Sequence, residues 1–322
     1  MEQLSSKIMA SDIECLNKVI RDDLSSDVVL IQQISEYIIH SGGKRIRPLL
    51  VLLCGRISGF TDGDLLHKMA AMIEYIHTAT LLHDDVVDES GLRRGRQTAN
   101  AVFGNAASIL VGDFIYTRSF QMMVEADSLK LLKIMADSTN KISAGEVLQL
   151  LNIGRSDLTE AEYFAVIKSK TAILFEAAAR VGAIVSGANQ VIEERLAIYA
   201  IGIGTAFQIV DDILDYTGDS ANMGKNVGDD LLEGKVTLPL IYVLQHGTDI
   251  EKQAIQQAID SPHEANISQI IEIVKRSNAI KYCENMAHNY ISKALIQLDE
   301  FPDSQYKTAM CELAKQSISR IS

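Results

Sequence analysis

Aspartates carry the most explicit chemistry in this chain. Asp84, Asp85 and Asp88 stand in the run His83-Asp84-Asp85-Val86-Val87-Asp88, and the same spacing returns in Asp211-Asp212-Ile213-Leu214-Asp215. On a helix, residues four apart share a face, so Asp84 stacks with Asp88 and Asp211 with Asp215. Like charges so placed repel, and each group closes an apolar segment where water is scarce. A hard divalent cation removes the conflict. Mg²⁺ suits it, because it takes carboxylate oxygens while leaving positions for substrate phosphates.

Basic residues cluster close by in sequence. Lys44-Arg45-Ile46-Arg47-Pro48 follows Gly42-Gly43, and Pro48 suits the first turn of a helix whose free N–H groups, with Lys44, Arg45 and Arg47, make an anion site. A solvated basic turn is the alternative. Arg93, Arg94 and Arg96 come directly after the first acidic motif, where they would either grip phosphate beside a metal or simply pair with aspartate. His77 lies seven residues before Asp84 and shares its helical face. Lys170-Thr171 and Gln208, one turn before Asp212, complete the polar set. The stretch from Thr217 to Leu238 holds Gly218, Gly224, Gly228 and Gly234 with Lys225 and Lys235 among them, and reads as a phosphate-binding flap. Acidic pairs, separate cations and wide apolar faces together fit a hydrocarbon diphosphate that loses its diphosphate. Cations would stabilise the leaving group, a dry cavity would protect the carbocation, and Thr171 and Gln208 would turn oxygen dipoles towards it.

The elements that must position these groups read as helices. The 322 residues include only four prolines and no tryptophan, so helix breakers are scarce. Ile13, Leu16 and Ile20, then Val28, Ile31, Ile34 and Ile38, recur at helical spacing and predict two amphipathic helices ending at Gly42-Gly43. One long helix is expected from Asp64 to Ser90, others over 105–126 and 129–151, and a further one over 192–216. Thr159 and Glu162 form a capping box opening a helix through Lys168, Lys170, Thr171 and Phe175. Pro239 starts another, and the remainder to Ser322 reads as helical scaffold. Because the candidate residues run from Lys44 to Lys235 and must converge, residues 1–322 are expected to form a single domain: an all-α bundle of long helices around a deep central cavity.

Composition excludes several function classes. A net charge of −12 argues against general binding to nucleic acid or anionic lipid. Cys15, Cys54, Cys283 and Cys311 form no CxxC pair, which favours neither zinc nor a disulfide framework and fits a reducing cytoplasm. The N-terminus has no basic region followed by an apolar run, and no stretch approaches the roughly 18 consecutive apolar residues of a membrane span, so a transmembrane segment is not expected.

The order and spacing of the two aspartate motifs, Gly43-Lys44-Arg45-Ile46-Arg47-Pro48, Arg93-Arg94, Lys170-Thr171 and Gly224-Lys225-Asn226 resemble the trans-polyprenyl diphosphate synthases over essentially the whole chain. His77-Thr78-Ala79-Thr80-Leu81-Leu82-His83-Asp84-Asp85 and Gly104-Asn105-Ala106-Ala107-Ser108 resemble the bacterial octaprenyl-forming members of that family. The resemblance implies a homodimeric, all-helical enzyme that condenses isopentenyl diphosphate head to tail with an allylic diphosphate such as farnesyl diphosphate. It implies Asp84, Asp88 and Asp211 as ligands of roughly two or three Mg²⁺ ions, with Asp85, Asp212 and Asp215 in support. Lys44, Arg47, His77 and Arg94 would bind isopentenyl diphosphate, and Arg93, Lys170, Lys225 and Lys235 the allylic diphosphate, with Thr171 and Gln208 near the nascent cation. The small Ala79 and Thr80, a turn before Asp84, imply a deep tunnel and a long product, octaprenyl by resemblance, for quinone side chains. Its release would involve transient membrane contact. Shorter or longer products and a non-catalytic subunit of a heteromeric synthase are the alternatives. An isoprenoid cyclase would leave Lys44, Arg47, His77 and Arg94 without a second diphosphate to bind, and a metal-binding helical protein without catalysis is the remaining rival.

Overall fold

Glycine, proline and capping signals punctuate long runs of helix-forming residues, and the chain follows them. The computed structural model describes residues 4–40, 45–61, 63–93, 95–218 and 227–319. Among these the structure is helical apart from turns and two antiparallel two-residue strands, Leu92–Arg93 and Arg96–Gln97. Its contacts gather into two compact units.

The first unit spans Met1–Ser138, Leu174–Ala200 and Gln297–Leu313. At its centre lies the helix Asp64–Val87, packed by Asn105–Glu125, Ile46–Ile57 and Ala10–Asp23. Its buried face carries Met69, Met72, Ile73, Ile76 and Leu82, side chains whose burial stabilises by about 1.5–3 kcal/mol each. The helix Ile46–Ile57 is buried without interruption from Pro48 to Gly55. Gly182 explains how closely another helix meets it, since a Cβ there would lie 2.3 Å from the Val51 carbonyl oxygen. Asp12 ties the N-terminal helix Ala10–Asp23 to this core: it accepts from Arg56 Nε at 3.1 Å and contacts His67 Nε2 at 2.8 Å.

The second unit spans Thr139–Ile173, Ile201–Ile296 and Ala314–Ser322. The expected capping box is present: Glu162 N–H donates to Thr159 Oγ1 and Thr159 N–H to Glu162, opening the helix Glu160–Ile167. That helix runs into a π-helical turn, Lys168–Ala172. Across from the turn, Gly145 allows close approach, because a Cβ there would sit 3.0 Å from the Lys170 backbone nitrogen. Gly202 does the same against the Tyr290 carbonyl oxygen at 2.9 Å.

Three sequence expectations need correction. The first acidic helix stops at Val87, not Ser90, and Asp88 caps it. Val28 is exposed and precedes its helix, Val29–His40, so it adds nothing to the apolar face. The glycine-rich stretch before Leu238 is not wholly irregular: Gly228 in a left-handed conformation opens the short helix Asp229–Leu232. The helix Gln190–Thr217 is long and apolar enough by composition to cross a membrane, but 72% of the window that meets this test is buried within the protein.

Candidate active site

In the first unit the long helix delivers its acidic end beside the small hairpin. Asp85 is 5% exposed, whereas Asp84 and Asp88 are half-buried. Asp85 receives Arg93 twice on Oδ1, from Nε at 2.8 Å and Nη2 at 2.7 Å. This is the simpler Arg–Asp pairing weighed above, and it holds Arg93 against the acidic motif. Asn100 Nδ2 donates to the Asp85 and Ser90 carbonyl oxygens and Thr98 Oγ1 to that of Ser90, so the turn after the motif is fastened from the next helix. Tyr37 Oη donates to the Gln97 carbonyl oxygen at 2.6 Å and ties the hairpin's far strand to the helix Val29–His40. Glu89 sits at φ +50°, a conformation side-chain-bearing residues avoid, at the point where the chain leaves the acidic helix.

The basic turn feeds the same unit. Arg45 caps the helix Ile46–Ile57 in a left-handed conformation. Arg47 Nη1 lies 3.0 Å from His77 Nε2 and its guanidinium stacks 4.6 Å from the centroid of the Phe175 ring. Arginine only donates, so in this contact the histidine nitrogen is the acceptor. Arg47 and His77, distant in sequence, are thus one unit of structure. Lys44, Arg94 and Lys225 lie outside the described residues.

In the second unit a pocket brings together Lys170, Thr171, Gln208, Asp212 and Lys235 with apolar walls including Ile153, Leu158, Val166, Ile167 and Val236. Lys170 Nζ donates to Glu146 at 2.5 Å and Gln149 at 2.7 Å, and Lys235 Nζ to Glu233 at 2.6 Å. The π turn presents Lys170 and Thr171, an insertion of the kind that recurs at functional sites. Thr171 Oγ1 donates to Gln208 Oε1 at 3.0 Å, Gln208 Nε2 donates to Asp212 Oδ1 at 2.9 Å, and Tyr163 Oη donates to Asp212 Oδ2 at 2.6 Å. Burial pushes the Asp212 carboxyl well above the usual carboxylate range, and the negative charge of Asp230 adds to that. The two hydrogen bonds from Tyr163 and Gln208 work in the opposite sense.

Tyr163 was not singled out from the sequence, and Phe175 was named only as a member of its helix. Tyr163 had a signal: it lies seven residues before Lys170, the spacing of one helical face. Phe175 had none, since its role as a platform for Arg47 depends on tertiary packing.

Burial divides each acidic motif by position. Asp211, like Asp84 and Asp88, is half-buried, while Asp212 and Asp215 are 3% and 0% exposed. Asp212 has an oxygen bonded to each of two neutral donors, and Asp85 is paired with Arg93. Among the described residues no group of three or more His, Cys, Asp or Glu side chains forms a ready-made metal cage. Carboxylates are the donors that hard divalent cations take, with water and substrate phosphates completing their coordination.

Known proteins resemble this chain throughout its length. Residues 28–276 match the family model for polyprenyl synthetase. The octaprenyl diphosphate synthase of Escherichia coli (strain K12) is 47% identical over 316 residues, 98% of each chain. That of Haemophilus influenzae is 48% identical over 315 residues, 98% of this chain and 95% of the relative. Among solved structures, a polyprenyl synthase from Caulobacter crescentus CB15 complexed with calcium and isoprenyl diphosphate superposes with a TM-score of 0.95 at 40% identity, covering 99% of this chain and 98% of that one.

Proposed function

Because the chain belongs to the polyprenyl synthetase family, whose members are trans-prenyltransferases, we propose that it extends farnesyl diphosphate with isopentenyl diphosphate to octaprenyl diphosphate, for the side chain of a quinone. It is a transferase that makes long-chain polyprenyl diphosphates. The observation that carries the reading is the second unit's cavity, where two lysines sit among apolar walls, as an allylic diphosphate demands. The family match spans residues of both units, which supports residues 1–322 working as one catalytic domain.

In this reading Lys170 and Lys235 exchange their glutamate partners for the allylic diphosphate, joined by Arg93 and Lys225. Arg47 and His77, with Lys44 and Arg94, take isopentenyl diphosphate. Asp84, Asp88 and Asp211 would hold roughly two or three Mg²⁺ ions, with Asp85, Asp212 and Asp215 supporting them. Bound there, Mg²⁺ would supply charge neutralisation for the leaving diphosphate. As the allylic C–O bond breaks, Thr171 turns the lone pairs of its hydroxyl towards the carbocation, since its proton is directed at Gln208. The isopentenyl double bond supplies the electron pair for the new C–C bond, and the proton lost in restoring a double bond passes to the departed diphosphate.

We further propose a cytoplasmic homodimer that touches a membrane only to release product. The exposed apolar side chains Ile109, Leu110 and Val124 on the helix Asn105–Glu125 support a self-association face.

The test is to incubate the purified protein with labelled isopentenyl diphosphate, farnesyl diphosphate and Mg²⁺ and to size the products. Octaprenyl diphosphate is expected. Absence of isopentenyl incorporation would refute the synthase reading, and a different dominant length would refute the octaprenyl assignment alone.

A further inference from the structure

Asp212 is buried at 3% exposure between a phenol and an amide, and its geometry decides what it can do. Oδ2 accepts from Tyr163 Oη at 2.6 Å and Oδ1 from Gln208 Nε2 at 2.9 Å. The opposite end of that amide, Gln208 Oε1, accepts from Thr171 Oγ1 at 3.0 Å. Four side chains therefore form one hydrogen-bonded chain whose donors converge on Asp212 from both sides. A primary amide has two chemically different ends, and Asp212 Oδ1 accepts from the nitrogen end, so Asp212 fixes which end of Gln208 faces Thr171. Tyr163 in turn fixes the rotation of the Asp212 carboxylate. Its own ring is 4% exposed and packs edge-on to Phe164, with centroids 5.2 Å apart.

We propose that Tyr163 is a positioning residue for the prenyl transfer, acting through Asp212 to hold the Gln208 amide and, through it, the Thr171 hydroxyl. The inference rests on the synthase reading above. Without the Tyr163 hydroxyl, Asp212 keeps a buried oxygen with no donor and turns to find one. Gln208 then loses its anchor, and the oxygens near the allylic carbon lose their fixed aim. The lysines that hold the diphosphate are not part of this chain of donors, so substrate binding should survive the change.

Tyr163→Phe is accordingly expected to lower kcat by about ten- to hundredfold, the effect of leaving a buried acceptor without its donor, with both diphosphate KM values within about twofold of the parent. A double-mutant cycle separates positioning from general loosening. Tyr163→Phe added to Gln208→Ala should cost almost nothing further, because the residue through which it acts is already gone. Equal losses in both backgrounds, a normal kcat, or a loss confined to KM would overturn the proposal. Should Tyr163→Phe fail to fold, fluorotyrosines at position 163 keep the ring's shape and alter only hydroxyl acidity. A kcat that tracks that acidity supports the assignment, and a flat series refutes it. If the parent protein shows no isopentenyl incorporation, it is the synthase reading that has failed.

Discussion

Arg47 shows how much a single side chain can carry. It meets His77 and lies over Phe175, so its planar fork is oriented before any substrate arrives. A lysine has the charge but neither the fork nor the stacking surface. Arg47→Lys should raise KM for isopentenyl diphosphate by about tenfold while leaving that for farnesyl diphosphate unchanged, which initial rates with each substrate varied in turn will read. Equal shifts in both KM values would contradict the assignment. Ala79 poses a steric question instead. It is 1% exposed, and the proposed long product needs room beside it. Tyrosine at this position should shorten the products seen by chromatography, and an unchanged profile would remove Ala79 from the tunnel. The candidates at this scale were readable in advance: the aspartates, Arg47, His77, Lys170, Thr171 and Gln208 were all proposed from type, spacing or family resemblance. Partner identity was not, because spacing along a helix says which residues share a face and nothing about what lies opposite.

At the scale of elements, positions are held by polar ties and by glycines. Burial alone would raise the Asp12 carboxyl, but hydrogen bonds from His67 and Arg56 outweigh it and hold the group at about 2, below its ordinary 3.8. A depressed folded-state value means the contribution is fully present above the ordinary value and disappears as pH falls from about 4 towards about 2. Denaturant midpoints measured from neutral pH down to this window should fall there, and Asp12→Asn should flatten that part of the curve. If the mutant keeps the parent's slope, the tie is not responsible. Gly182 offers a second test. Adding a Cβ beside the Val51 carbonyl forces two helices apart, a change of about 1–3 kcal/mol. Gly182→Ala should therefore lower the denaturation midpoint, and because the displaced helix Ile46–Ile57 carries Arg47, it should also raise KM for isopentenyl diphosphate. Full stability in this variant would show that the contact relaxes without strain. Helix existence was legible in hydrophobic periodicity, and even the capping box at Thr159 was found in the sequence. The π turn at Lys168–Ala172 was not, since one extra residue in a turn leaves the apolar pattern almost unchanged.

For the whole molecule, the proposed homodimer depends on an apolar face that the first unit leaves exposed. Leu110 is 67% exposed on the helix Asn105–Glu125, and arginine there would place a charge in the face without disturbing a core. Leu110→Arg should sediment as a monomer in analytical ultracentrifugation at concentrations where the parent is a dimer. A dimeric variant would move the interface elsewhere. The sequence alone determined that the protein is helical, that it carries two acidic motifs with separate basic clusters, and which family it resembles, because residue type and local spacing encode helix faces and the valence of a site. Only the tertiary structure decided which aspartates stay half-exposed and which are buried and tied, that Arg93 pairs with Asp85, that Phe175 underlies Arg47, and that Tyr163 stands behind Asp212. Those choices follow from which helix faces meet, and a one-dimensional pattern leaves that undetermined until the core is packed.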